Sequence, residues 1–160
     1  MEGGEIVLLL PNFLLISKQL VYRCMKEADL YFDGASRGNP GLSGVGIYII
    51  DSSTKNPVIE KSVFIGKTTN NVAEYTGLII GLKTAKELGI TRLNIFSDSL
   101  LVVNHIKGIY KIKNSRLLPL YTQAVNYLKL FGDGFEIAHI LRAKNSKADQ
   151  LANIAIDKGE

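Results

Sequence analysis

From Ala28 onward the alternation of apolar and polar positions is regular enough to predict a run of elements. Asp29–Ala35 (DLYFDGA) reads as a short strand that ends in the turn-rich Ser36–Gly41 (SRGNPG). Val45–Ile50 sets Val45, Ile47 and Ile49 against Gly46, Tyr48 and Ile50, the signature of a half-buried strand, and the turn Asp51–Pro57 follows it. Val58–Gly66 is a third strand. Short Gly/Pro/Ser turns between three strands predict an antiparallel meander. The period then changes. Asn70 and Asn71 suit an N-cap, Val72–Leu88 carries Leu78, Leu82 and Ala85 at helical spacing, and Gly89 is the stop. Leu93–Phe96 is a short strand, and Ser97–Asp98–Ser99 caps a helix over Leu100–Ile106. Leu117–Leu130 is a further helix, Phe135–Leu141 a last strand and Ser146–Ile156 a last helix. The order βββαβααβα predicts an α/β fold, a mixed five-stranded sheet of three antiparallel strands followed by two parallel ones, with helices on both faces.

The first 27 residues do not share this regularity, so the chain divides into an N-terminal segment, 1–27, of unassigned role, and a domain, 28–160, that carries the chemistry. Ile6–Ile16 (IVLLLPNFLLI) is an apolar run broken by Pro11 and Asn12. It is shorter than the about 20 residues that span a bilayer as a helix. Glu2 and Glu5 and the lack of a small-x-small site argue against a secretory signal. A packing appendage is expected, with a tail left over from an upstream region as the alternative. The 160 residues suffice for one domain with a substantial core. A net charge of +4 permits a polyanionic partner without requiring one. The single cysteine, Cys24, excludes an internal disulfide framework and fits a reducing compartment. A cytoplasmic monomer with no membrane partner is expected.

Four carboxylates fall where packing alone gives little reason for them. Asp33 lies inside the first strand, Glu74 in the first turn of the first long helix, Asp98 at the C-terminal end of the fourth strand, and Asp149 in the first turn of the last helix. Sites in open α/β sheets form beyond the carboxyl ends of adjacent strands near a switch in strand order, so Asp33 and Asp98 are candidates to lie side by side. The two helix starts can bring Glu74 and Asp149 to the same rim. Anions crowded in this way repel unless cations neutralise them, and oxygen-only ligation suits Mg²⁺ or Mn²⁺. Singly, each has an ordinary account: Glu74 and Asp149 favour a helix N-terminus, and Asp98 serves as a cap. Asp33 has the weakest such account.

At these residues the sequence resembles the type 1 ribonuclease H family. The resemblance runs from Asp29 to about Ile156 in four ordered blocks: YFDGASRGNPG, TNNVAEYTGLI, FSDSLLVVNHI and HILRAKNSKADQLAN. It implies a ribonuclease H-like fold and an endonuclease that hydrolyses the RNA strand of RNA–DNA hybrids by a two-metal-ion mechanism, leaving 5′-phosphate and 3′-hydroxyl ends. Asp33, Glu74, Asp98 and Asp149 match its acidic set. The resemblance implies that Asp33 bridges two Mg²⁺ ions (Mn²⁺ substituting), that Glu74 and Asp98 hold one, and that Asp149 assists the other. The implied substrate contacts are Gly34, Ser36, Asn39, Thr69, Asn70 and Asn71. Asn39 and Thr69 would hold a DNA-strand phosphate, and Asn70 and Asn71 would read the minor groove and 2′-hydroxyls. Turn formation and helix capping remain an ordinary account of the asparagines.

Several features depart from other members. Ten residues from His139 to Asp149 leave no room for the flexible loop that carries a catalytic histidine in many of them. Arg142 is then the candidate for that place, acting through charge because guanidinium is no base at neutral pH. His139 reads as a strand-packing residue. Leu100 replaces a glutamine that touches nucleic acid in some members. The long basic protrusion is absent, and HIKGIYKIKNSR, with Lys107, Lys111, Lys113 and Arg116, forms a short connector that is either merely solvated or a source of phosphate contacts. Two further readings stand beside the nuclease. One is an inactive nucleic-acid-binding or scaffold domain of the same fold, disfavoured by the presence of all four carboxylates. The other is a ribonuclease H domain derived from a reverse transcriptase.

Overall fold

The meander and the parallel pair form as the alternation predicts. The computed structural model describes residues 26–159. Strands β1 (Glu27–Gly38), β2 (Gly41–Asp51) and β3 (Pro57–Thr68) pair antiparallel, β4 (Arg92–Ser97) runs parallel to β1, and β5 (Phe135–His139) runs parallel to β4. The sheet order is β3-β2-β1-β4-β5, so β1 is central and the chain switches direction of travel across it. Helix α1 (Asn70–Glu87) follows β3, and α2 (Leu100–Ile106) and α3 (Leu118–Lys129) lie between β4 and β5. A 3₁₀ turn (Arg142–Asn145) leads into α4 (Ser146–Gly159).

Three of the boundaries that differ from the expectation bear on the site. Ser36 and Arg37 stand in β1, paired with Ser43 and Leu42, which leaves Asn39–Pro40 as the whole turn. The ladder between two long strands outweighs the local turn preference of SRGNPG. The cap of α1 is Thr69, whose Oγ1 accepts the Val72 N–H at 3.4 Å, and Asn70 is already helical. Glu74 therefore stands beyond the first turn of α1. Finally, β5 ends at His139, two residues early, because the chain turns at Leu141 into the 3₁₀ segment.

Burial divides the sheet into two faces. Leu30 and Phe32 of β1, Ile47 and Ile49 of β2, Leu93 and Ile95 of β4 and Ile137 of β5 join Leu78 and Leu82 of α1, Val102 and Val103 of α2 and Leu128 of α3 in one core. Each such side chain stabilises the fold by roughly 1.5–3 kcal/mol relative to exposure. Helix α4 packs chiefly on β2 and β3, and its Ala148 and Ala152 meet Gly46 and Gly44 of β2 on the other face. Two glycines let the helices come this close. A Cβ on Gly34 would lie 2.3 Å from the backbone of Ala73 and Glu74 in α1. One on Gly46 would lie 2.0 Å from the Ala148 carbonyl oxygen in α4. Gly46 is the cross-strand partner of Asp33, so both helices converge beside that carboxylate.

The proposed N-terminal segment lies outside the described residues, with its Pro11–Asn12 turn and Cys24, apart from Lys26 and Glu27. The Lys26 carbonyl accepts hydrogen bonds from the Thr91 and Arg92 amides, and Glu27 begins β1. Among the described residues no helix is long and apolar enough to cross a membrane.

The close approach of α4 predicts that Gly46→Ala forces the helix off β2. The expected loss is about 2 kcal/mol in a denaturant unfolding experiment. An unchanged midpoint would show that α4 can shift freely at this contact.

Candidate active site

Asp33 and Glu74 meet because Gly34 lies between them. With no side chain on Gly34, α1 settles against β1, and the Gly34 N–H donates to Glu74 Oε2 at 3.1 Å. Gly34 itself is buried, so what it offers the site is close approach and a donor for Glu74. Asp98 follows the last residue of β4, the parallel neighbour of β1. One carboxylate oxygen from each of Asp33, Glu74 and Asp98 can be chosen so that all three lie within 4.8 Å of one another. Asp33 and Glu74 are 5% and 6% exposed, whereas Asp98 is half-buried.

Burial without cations pushes the first two carboxyls toward protonation. The Asp33 carboxyl is raised from 3.8 to about 8, first by burial and then by the charges of Asp98 and Asp149. Arg142 opposes the shift. Glu74 is also raised well above its ordinary value, by burial and then by Asp33 and Asp98, with the Gly34 N–H pulling the other way. Anionic oxygen donors alone, two of them held out of water, are a donor set for a hard divalent cation such as Mg²⁺ and not for the softer metals that prefer nitrogen or sulfur.

The other two predicted residues sit at the mouth. Asp149, in the first turn of α4, is close enough for its charge to raise the Asp33 carboxyl, and its Oδ1 pairs with Arg142 Nη2 at 3.5 Å. Arg142 is 80% exposed, so its charge faces solvent beside the carboxylates. His139 is not the strand-packing residue expected of it. It is exposed at the end of β5, opposite Ser97 in the last rung of the β4–β5 ladder. Leu100 opens α2 and is largely exposed.

Of the polar residues expected to contact substrate, Asn39, Thr69 and Asn70 meet at the start of α1. Asn39 Oδ1 accepts the Asn70 N–H at 3.1 Å, which ties the β1–β2 turn to the start of α1. Thr69 lies between them in sequence as the cap. The Ser36 hydroxyl is engaged within the protein, donating toward the Thr68 and Gly38 carbonyls and accepting from Ser43. Asn71, exposed, lines an open cavity of about 610 Å³ with His105, Tyr110, Lys111, Lys113 and Asn114. The lysine-rich connector therefore lies next to the start of α1.

Two parts of this arrangement were not apparent in the sequence. The cavity needs the α2–α3 connector folded against Asn71, and Tyr110 and Asn114 carried no pattern of their own. Asn145 is the other. It is buried, and its Nδ2 donates to Asp98 Oδ1 at 3.1 Å and to the Phe32 carbonyl at 2.9 Å. Nothing in the spacing of Asn145 marks it as a partner of Asp98, 47 residues away in the chain.

Residues 31–155 match the family described as Reverse transcriptase-like. A bifunctional protein of Mycobacterium tuberculosis is 43% identical over 125 residues, which are 78% of this chain and 34% of that protein. The crystal structure of RNase H1 from the halophilic archaeon Halobacterium salinarum NRC-1 shares 39% identity and a TM-score of 0.79, covering 82% of this chain and 98% of that one. LC11-RNase H1, solved in complex with an RNA/DNA hybrid, shares 37% identity and a TM-score of 0.78, covering 82% and 98%. The chain spans about a third of the length of the first curated relatives it matches.

The raised Asp33 carboxyl sets a pH dependence for the metal-free protein. Its folded-state value of about 8 lies above the ordinary 3.8, so the proton is held more tightly in the folded state. The associated stability is complete below the ordinary value and is lost as pH rises through about 8. The melting temperature in EDTA is expected to fall across that window, Mg²⁺ to restore it at high pH, and Asp33→Asn to flatten the profile. A metal-free melting temperature that climbs over the same range would contradict the assignment.

Proposed function

The chain belongs to the type 1 ribonuclease H family, and on that footing we propose that it hydrolyses the RNA strand of RNA–DNA hybrids as a metal-dependent endonuclease. The observation that carries the reading is the meeting of Asp33, Glu74 and Asp98 within 4.8 Å, two of them buried. No packing need explains three mutually repelling carboxylates there, and divalent cations remove the repulsion. Four such groups from β1, α1, the residue after β4, and α4 also disfavour a merely scaffolding role.

Asp33, Glu74 and Asp98 would hold Mg²⁺ ions, two in number with Mn²⁺ substituting, and Asp149 would assist from the mouth of the site. Cations bound there would polarise the scissile phosphate and promote attack by water, leaving 5′-phosphate and 3′-hydroxyl ends. Glu74 is oriented by the Gly34 N–H, so its oxygens are aimed before any cation binds. Arg142 supplies positive charge at the mouth, next to Asp149, and draws the phosphate or departing product by electrostatics alone.

Substrate choice rests on the polar side of the mouth. Asn70 and Asn71 are suited to the minor groove and its 2′-hydroxyls, and Asn39 with Thr69 to a phosphate of the DNA strand, with Ser36 bracing the turn that presents Asn39. Lys111 and Lys113 extend that contact along the backbone. Needing 2′-hydroxyls on one strand and a DNA-like backbone on the other is how a hybrid is chosen over either pure duplex. A relative solved with an RNA/DNA hybrid supports this substrate class. We place the activity in a cytoplasmic monomer.

Cleavage of a labelled RNA–DNA hybrid beside RNA–RNA and DNA–DNA duplexes tests the reading. Cutting of the RNA strand in Mg²⁺ or Mn²⁺ is expected, abolished by EDTA and by Asp33→Asn. Activity that survives Asp33→Asn would refute the metal assignment. Arg142→Ala is expected to lower kcat by roughly tenfold or more with KM nearly unchanged, as for loss of a charge-assisted contact. An unchanged rate would remove Arg142 from the mechanism.

A further inference from the structure

Asp98 has little to hold it. It lies one residue past the end of β4, beyond the last rung of the parallel ladder, and is only half-buried. Asp33 and Glu74 face it with like charge when ionised. Left alone, such a side chain would swing outward to solvent, where repulsion is weakest.

Asn145 prevents this. Its side chain is 1% exposed and sits where the 3₁₀ turn meets α4. The Nδ2 group donates to two acceptors at once, Asp98 Oδ1 at 3.1 Å and the Phe32 carbonyl oxygen at 2.9 Å. Phe32 is the residue before Asp33, so one amide group links the Asp98 carboxylate to the backbone that carries Asp33. Both partners are acceptors, which fixes which end of the amide is nitrogen.

The ordinary account of an asparagine at this place is a helix cap. A cap uses its side-chain oxygen to accept a backbone N–H of the first turn. Here the Oδ1 of Asn145 is buried and has no hydrogen-bond partner among the described residues. A buried acceptor without a donor is a penalty that an apolar residue would avoid. The residue is accounted for by its N–H groups and by what they hold.

We propose that Asn145 is a positioning residue for the metal-binding carboxylates: it clamps Asp98 to β1 at a fixed place beside Asp33, so that a divalent cation meets a site already assembled. This rests on the nuclease reading above and adds to it the element that orders the donor set. The same turn carries Arg142 at its start and leads into α4 with Asp149, so the clamp also ties the mouth of the site to its floor.

Calorimetric titration of Mn²⁺ into Asn145→Ala, without nucleic acid and well below its melting temperature, tests the clamp. Removal of a hydrogen bond that orients a ligand is expected to weaken affinity by about tenfold to a hundredfold. In cleavage assays the Mn²⁺ midpoint should rise by a similar factor, kcat should recover at saturating Mn²⁺, and KM for the hybrid should stay within about twofold of the unaltered protein. A role in folding alone would lower the melting temperature in EDTA and leave Mn²⁺ affinity of the folded variant untouched, and that result would overturn the proposal. Should Asn145→Ala not fold, Asn145→Ser gives the same readout with one donor retained, and failure of both to fold would likewise assign Asn145 to structure alone. Absence of Mn²⁺ binding and of cleavage in the unaltered protein would instead overturn the nuclease reading itself.

Discussion

Three carboxylates, Asp33, Glu74 and Asp98, occupy a volume in which anions repel, and two of them are shut off from water. That crowding is the constraint on which the remaining features depend. Desolvation and like charge both favour the neutral acids, and the protein opposes them with few groups of its own: the Gly34 N–H toward Glu74, the Asn145 amide toward Asp98, and the guanidinium of Arg142 at the mouth. These orient the carboxylates without neutralising them. The unbalanced charge is what makes the place receptive to divalent cations.

The apolar scaffold makes this possible by leaving the site no freedom to relax. Leu30 and Phe32 anchor β1 in the core on one face, and Asp33 and Gly46 meet α4 on the other. Because side chains alternate along a strand, the residue next to a buried phenylalanine must point to the opposite face. Strand β1 is central; Asp33 pairs with Gly46 of β2 on one side, and on the other it stands just past the end of the β1–β4 ladder at Tyr31 and Phe96, where Asp98 follows β4. The glycines at positions 34 and 46 bring a helix against each face at that point, which shuts water out and shortens the path between elements distant in sequence.

Around this floor the polar groups divide by depth. Buried amides and backbone N–H groups hold the carboxylates, while exposed side chains, Asn70, Asn71, Arg142 and the connector lysines, are left toward solvent. An extended polyanion needs such an arrangement: fixed anions with their cations below, and positive or hydrogen-bonding groups along the rim. The Asn39–Asn70 hydrogen bond joins the β1–β2 turn to α1, so that the rim is braced by the same elements as the floor.

Strand and helix order, sheet class and the three carboxylates that meet, Asp33, Glu74 and Asp98, were legible in the sequence. The alternation of Val45–Ile50 and the helical spacing of Leu78, Leu82 and Ala85 are local properties, set by the geometry of single elements, and four ordered blocks gave the resemblance. Boundaries were less so: long-range pairing carried β1 through Ser36 and Arg37, and Thr69 displaced Asn70 and Asn71 as the cap. His139 looked like a packing residue by its place in a strand, yet it stands exposed at the end of β5. Only the tertiary structure decided that Asn145 faces Asp98 instead of capping α4, that Arg142 pairs with Asp149, and that the α2–α3 connector borders Asn71. Sequence sets which way a side chain leaves its own element. Which partner from a distant element waits there depends on how closely two backbones can approach, and that is fixed by packing.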